Sequence, residues 1–265
     1  MGFSKYGVSY NIFDGEELLE DSILHIRDLV EYISVVYQTQ SYWGNQCSEG
    51  LIELLTRLKT EGLIDDLVKY DNNPQLSPHQ NQIIKRNLGV QLSRKNYCTH
   101  HMSMDCDEFY TEEQFNDLLD WYDENPNFVG FADYNDYYKS PSFLVDKPHD
   151  TMVSLFFPIK KNQHQFVLNY SSPVLVDPTR RPNYDQYKIF KPYFIQMQHM
   201  TLVRKNIDSK VRNAAKRLNY NTEEAIQKQI DYYNNWDENL DGLNEWGNLK
   251  LKKVEPVITL EKYNK

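Results

Sequence analysis

Two aspartates stand one residue apart in Asp105-Cys106-Asp107, directly after the stretch His100-His101-Met102-Ser103-Met104. If that stretch is a buried strand, a tight turn follows it and both carboxylates face one point in space. A hard divalent cation such as Mn2+ or Mg2+ takes oxygen ligands of this kind and leaves positions open for a diphosphate. Neutralising a diphosphate makes it a better leaving group. Cys106 is expected to turn into the core, since no adjacent base is placed to activate its thiol. Of His100 and His101, alternation along a strand lets one face a cleft and packs the other away.

Transfer to a hydroxyl with inversion also needs a carboxylate to take the proton. Downstream of the motif the candidates are Asp136 and Asp133, followed by Asp146 and Asp150. The run Asp133-Tyr134-Asn135-Asp136-Tyr137-Tyr138 mixes rings that stack on a sugar with acids that catch its hydroxyls. Inverting and retaining outcomes both stay open. Calcium readings are weaker. Asp105-x-Asp107 begins like an EF-hand loop but has Phe109 and Tyr110 where a ligand and the turn glycine belong. The run from Asp237 to Gly242 fits the loop start better, yet its twelfth position is Asn248.

Such residues need a scaffold, and the first half of the chain alternates strand and helix patterns. Residues 5–12, 32–37, 66–70 and 97–104 read as strands. Between them lie helices with Leu19, Ile23, Ile26 and Val30, then Leu51, Leu55 and Leu58, then Ile83, Ile84, Leu88 and Leu92 on one face each. Ser77-Pro78 marks the third helix start, a Ser cap with Pro at the first helical position. Repeated strand, crossover helix and strand predicts a parallel, doubly wound sheet. Ligands of such sheets sit beyond the carboxyl ends of the strands. Tyr10, Asn11, Gln38, Thr39, Asp71 and Asp105 fall at those ends, and Tyr10, Asn11 and Asp71 are the expected nucleotide contacts.

After Asp107 the pattern changes. Thr111 and Gln114 cap a helix. Strand-like stretches at 128–134, 151–159, 165–176 and 199–203 then predict hairpins and a mixed sheet edge. Residues 208–235 read as polar helices. The expected organisation is one α/β domain over residues 1–207, with a C-terminal helical extension over residues 208–265 packed on it.

The segment HHMSMDCDEFY, preceded by a helix carrying Lys85-Arg86-Asn87-Leu88-Gly89, resembles GT-A glycosyltransferases related to family 2. The opening Tyr10-Asn11-Ile12 and the helix after it are similar to the donor-binding start of that group. The stretch from Met197 to Lys205 is similar to a recurrent C-terminal segment. The resemblance implies a GT-A, Rossmann-like fold with a mostly parallel mixed sheet flanked by helices. It implies sugar transfer from a UDP- or GDP-sugar to a glycan or other hydroxyl acceptor, with Mn2+ or Mg2+ as cofactor. Asp107 would ligate the metal, Asp105 would contact the metal or the donor ribose, and His199 would be the third protein ligand. Arg204 and Lys205 would hold the diphosphate, and Arg86 would approach the donor. The sequence departs from the group at Tyr37-Gln38-Thr39, where many members carry an acid for the base or ribose.

Composition narrows the alternatives. The chain has 265 residues, a formal net charge of −9, 40% hydrophobic and 25% charged residues. That is an ordinary globular balance, and the negative charge argues against nucleic-acid or anionic-membrane partners. No apolar run reaches the roughly 18–20 residues that span a bilayer, so no integral membrane segment is expected. Cys47, Cys98 and Cys106 form no CxxC pair, and with no signal-like start the expectation is a cytoplasmic protein, with peripheral attachment through a partner left open. Two rivals remain: a nucleotidyltransferase, and a non-catalytic carbohydrate- or nucleotide-binding module of the same fold. The first usually opens with a basic, glycine-rich phosphate loop, and Ile12-Phe13-Asp14-Gly15-Glu16-Glu17 has no basic residue.

Overall fold

The computed structural model describes residues 4–146, 151–160, 165–167, 172–184, 186–213, 222–238 and 250–263. The first half runs β1 (Tyr6–Ile12), α1 (Glu16–Leu24), β2 (Tyr32–Tyr37), α2 (Glu49–Thr60), β3 (Asp66–Lys69), α3 (Pro78–Lys95) and β4 (His100–Asp105). These strands form a parallel sheet in the order β4-β1-β2-β3. Strand β1 goes to β2 on one side, while β4 returns to its other side. The switch point therefore lies between β1 and β4, where Asn11 and Asp105 are register partners. Crevices beyond such points are where open α/β sheets bind ligands.

The two faces of this sheet differ in kind. Val8 and Tyr10 of β1, Val35 of β2, and Met102 and Met104 of β4 join Leu19, Ile23, Leu51 and Leu55 in the main apolar core. The opposite face, set by strand alternation, carries Gly7, Ser9, Asn11, Ser34, His101, Ser103 and Asp105. Helix α3 lies on that face with almost no clearance. A Cβ on Gly89 would overlap Ser9, and a Cβ on Gly7 would overlap Ser93. Ser77 starts α3 with a capping box, its hydroxyl accepting from Gln80 N while the Gln80 side chain accepts from Ser77 N.

The second half adds β5 (Glu108–Phe109), α4 (Glu112–Glu124), β6 (Val129–Ala132), β7 (Tyr134–Tyr138), β8 (Ser140–Val145), β9 (Val153–Ser154) and β10 (Phe157–Pro158). It continues with β11 (Tyr187–Ile189), β12 (Met197–Leu202), α5 (Ile207–Asn213), α6 (Glu223–Asn235) and β13 (Leu251–Lys253). Strand β10 adds antiparallel to β4. The others build a three-stranded sheet, β11-β6-β9, and a mixed five-stranded sheet, β13-β8-β7-β12-β5. The expected single strand at 128–134 is two strands in two sheets. The fourth strand begins later than expected because Tyr97 turns the chain with φ 61°. Residues 208–265 contribute more than helices, since β13 pairs with β8. Ile226, Ile230 and Tyr233 of α6 pack with Tyr138, Val145 and Leu202. Among the described residues no helix is long and apolar enough to cross a membrane.

Candidate active site

A cleft of about 310 Å³ opens at the switch point, lined by Asn11, Asp14, Gln38, Tyr42, Lys85, Asp105, Asp107, His199, Arg204 and Lys210 among others. Strand parity explains which side chains reach it. Asn11, Ser103 and Asp105 share the α3 face, so Asn11 Nδ2 donates to Ser103 Oγ at 3.1 Å. Arg86, fully buried on α3, donates to Ser103 Oγ at 2.8 Å and to both oxygens of Asp105. Lys85 reaches the cleft beside it and donates to Gln38 Oε1 at 2.9 Å. Burial pushes the Lys85 ammonium down to about 8, against the attraction of Asp105.

Asp105 is saturated. Arg86 holds it from α3, and Arg180, on the short 3-10 turn Pro178–Arg180, bridges it to buried Glu108. Burial raises the Asp105 carboxyl, but the two arginines outweigh that and hold it well below the usual range. For Glu108 burial dominates and its carboxyl is raised.

Asp107 is held differently. Its Oδ2 accepts from Arg204 and from Lys210, the latter at 2.9 Å, and these cations outweigh burial to keep the carboxylate ionised. Arg204 seats over Gly15, whose φ of 78° and missing Cβ leave room for the guanidinium. The β1–α1 turn, which has no basic residue of its own, thus receives a cation from far along the chain. Oδ1 of Asp107 faces His199 Nε2 at 3.7 Å. The other ring nitrogen of His199, Nδ1, meets Asp136 Oδ1 at 2.6 Å across the β7–β12 register pair. Burial opposes charge on His199, while Asp136 and Asp107 favour it, and the balance raises its pKa.

This donor set fits a divalent cation in part. Asp107 Oδ1 and His199 Nε2 are an oxygen and a nitrogen donor that could face one cation, and Asp136 fixes the imidazole from its other ring nitrogen. Asp105 does not complete a three-ligand set, because both its oxygens carry arginines. Among the described residues no group of three or more His, Cys, Asp or Glu is arranged to hold a metal. Any further ligands would have to come from the diphosphate and water.

Several expected site residues lie elsewhere. Tyr10 points to the opposite face of the sheet, fully buried, with its hydroxyl 3.0 Å from Ser22 Oγ on α1. Adjacent strand residues cannot both reach one side, and Asn11 is the one that does. Asp71 is exposed, pairs with Lys69, and does not line the cleft. Lys205 is exposed and only its backbone N is engaged, donating to Glu17, whereas Lys210, five residues on in α5, reaches Asp107. Asp133 lies outside the cleft, and Asp136 is committed to His199. Asp146 is exposed, while Asp150 and most of the 237–248 loop fall outside the described residues. Neither His100 nor His101 faces the cleft. His100 stacks on Tyr6, and His101 Nδ1 lies 2.8 Å from Ser93 Oγ under α3. Cys106 is buried, its thiol donating to Asp14 O.

Neither a protein-family model nor a curated protein matches this chain. Among solved structures it is similar to three crystal structures of S. aureus TarS. The 1–349 fragment in complex with UDP-GlcNAc is 12% identical, with 55% of this chain and 37% of that one covered and a TM-score of 0.39. TarS itself is 11% identical, with 86% and 42% covered and a TM-score of 0.46. The 1–349 fragment alone is 12% identical, with 86% and 70% covered and a TM-score of 0.48. The chain thus spans 37% and 42% of the length of the first two.

Proposed function

We propose that the protein transfers a monosaccharide from a nucleoside-diphosphate sugar to a hydroxyl acceptor. One observation carries the reading: at the switch point, Asp107 and His199 face each other in a cleft that Arg204, Lys210 and Lys85 also line. Arg204 and Lys210 hold Asp107 there, and Arg86 lies beneath the cleft, holding Ser103 and Asp105. Several cations lining one cleft suit a diphosphate, whose oxygens accept charge-assisted hydrogen bonds. Lys85 keeps donors to spare after Gln38 and is turned to the cleft, so it serves the same anion. Asp107 and His199 would hold Mn2+ or Mg2+, which would supply charge neutralisation for the departing diphosphate.

The test is a melting-point screen of UDP, GDP and UDP-GlcNAc, each with Mn2+ or EDTA, on wild type and Asp107→Asn. A ligand at a hundredfold its Kd stabilises by about 2.7 kcal/mol, or about 5–10 °C for a chain of this size. One nucleotide should give that shift in Mn2+ and lose it in EDTA and in Asp107→Asn. A shift indifferent to EDTA and to Asp107 would remove the metal from the reading. No shift with any nucleotide would reject the reading itself. A nucleotide shift without release of nucleoside diphosphate from any sugar donor would favour a non-catalytic binding module.

A further inference from the structure

A second cavity, of about 300 Å³, adjoins the cleft, and Asp105, Asp177, Pro178 and His199 line both. Its floor is apolar, formed by Met152, Val153, Val176 and Met197. The wall between the two spaces carries one carboxylate with an oxygen to spare. Asp177 caps the turn Pro178–Arg180 through Oδ1 alone, which accepts from Thr179 N and Thr179 Oγ1, both at 2.7 Å. Its Oδ2 has no hydrogen bond or ion pair among the described residues.

The neighbouring acids are occupied or badly placed. Asp105 belongs to Arg86 and Arg180, Asp107 to Arg204 and Lys210, and Asp136 to His199. Glu108 lines only the second cavity, is 2% exposed and is tied to Arg180. Asp177 stands half-buried between the spaces. Burial pushes its carboxyl up, but Arg86 and Arg180 outweigh that and keep it ionised.

We propose that the second cavity holds the acceptor and that Asp177 is the catalytic base that takes the proton from its hydroxyl. The assignment rests on the glycosyl-transfer reading above. The acceptor class is a polyol or sugar with its C–H face on Met152, Val176 and Met197 and its hydroxyl at Asp177 Oδ2. The acceptor oxygen bonds to the anomeric carbon and its proton passes to Asp177. The bond from the anomeric carbon to the diphosphate oxygen breaks, and its electron pair leaves with the diphosphate. Attack from the side opposite the leaving group makes the reaction inverting.

The experiment follows release of nucleoside diphosphate with water as acceptor. Its substrate is a sugar donor of whichever nucleotide shifts the melting point, UDP-GlcNAc first. Asp177→Asn keeps an Oδ1 to cap Thr179 and removes only the basic oxygen. Its kcat should fall by roughly 10²–10⁴-fold, with the donor KM and the nucleotide melting shift unchanged. Azide attacks without a proton to lose, so sodium azide should restore release in Asp177→Asn and yield a glycosyl azide. A merely structural Asp177 would give no such rescue. Asp177→Glu, which keeps the base, should retain part of the activity. Undiminished hydrolysis in Asp177→Asn would overturn the assignment, as would a loss that azide does not relieve while nucleotide still binds. Either result leaves the transferase reading standing. A wild type that binds no nucleotide rejects both.

Discussion

The main sheet has one face made of large apolar side chains and another made of small and polar ones, and the two do different work. Toward α1 and α2, Val8, Tyr10, Val35, Met102 and Met104 interdigitate with leucines and isoleucines to form the core. Toward α3, glycines and serines let the helix backbone come down onto the strands. Close approach is what delivers Arg86 to Ser103 and Asp105, and Lys85 to Gln38, at the strand ends. The contrast teaches that the site begins as a packing choice: one face trades buried apolar area for reach.

That division is open to test by substitutions on each face. Met102→Ala, on the apolar face, should cost about 2–5 kcal/mol through the lost transfer energy and the cavity left behind. Its urea midpoint should drop while the nucleotide melting shift survives. A lost shift would mean the faces are not separable.

Lys85→Met, on the α3 face, should act in the opposite direction. The fall of its ammonium from 10.5 to about 8 corresponds to about 3 kcal/mol of native-state cost at neutral pH. Met fills the space without a charge, so the ligand-free protein should gain that much and lose nucleotide binding. The sign follows from linkage: below pH 8 the ammonium is charged in both folded and unfolded chains and the cost is complete. Between pH 8 and 10.5 the unfolded chain binds the extra proton, so wild-type stability rises and the gap to Lys85→Met closes. Urea denaturation at pH 7 and pH 10 reads this directly. A gap that is unchanged across that window contradicts the account.

The smallest effect is expected from Gly89→Ala. One methyl against Ser9 should cost about 1–3 kcal/mol by overpacking. Because it lifts α3 from the sheet, it should also weaken nucleotide binding, which Met102→Ala leaves intact. A variant that loses stability but binds as well as wild type would show that helix height does not set the site.

The sequence made the first half readable because its signals are local. Strand β2 occupies the residues its apolar run marks, Ser77-Pro78 starts α3, and Asp105 ends a strand at the sheet's carboxyl edge. Asn11, Asp105, Asp107, His199 and Arg204 all line the cleft, and Arg86 supports it from beneath. Parity misplaced Tyr10: two neighbours at a strand end look alike until the helix that covers each face is known. Lys85 was visible beside Arg86, yet its fate depended on how far the helix sinks, which two glycines on separate elements decide. Asp177 with Pro178 carries a local cap signal that marks a turn and not a site, and Arg180 and Lys210 carry no local pattern. They reach the site through folding of the second half, where strands of two to six residues leave weak periodicity.

Arg204 and Lys210 lie 97 and 103 residues beyond the Asp107 carboxylate they neutralise. During synthesis at about 5–20 residues per second, this separates the acid from its cations by roughly 5–20 seconds. A nascent chain that has released β1 to β5 therefore owns the parallel strands, their helices and both aspartates, but Asp107 cannot be buried without its counter-charges. Closing the site is a late, long-range event. Until α5 has emerged, that edge of the sheet stays open to water and to whatever in the cell holds unfinished chains.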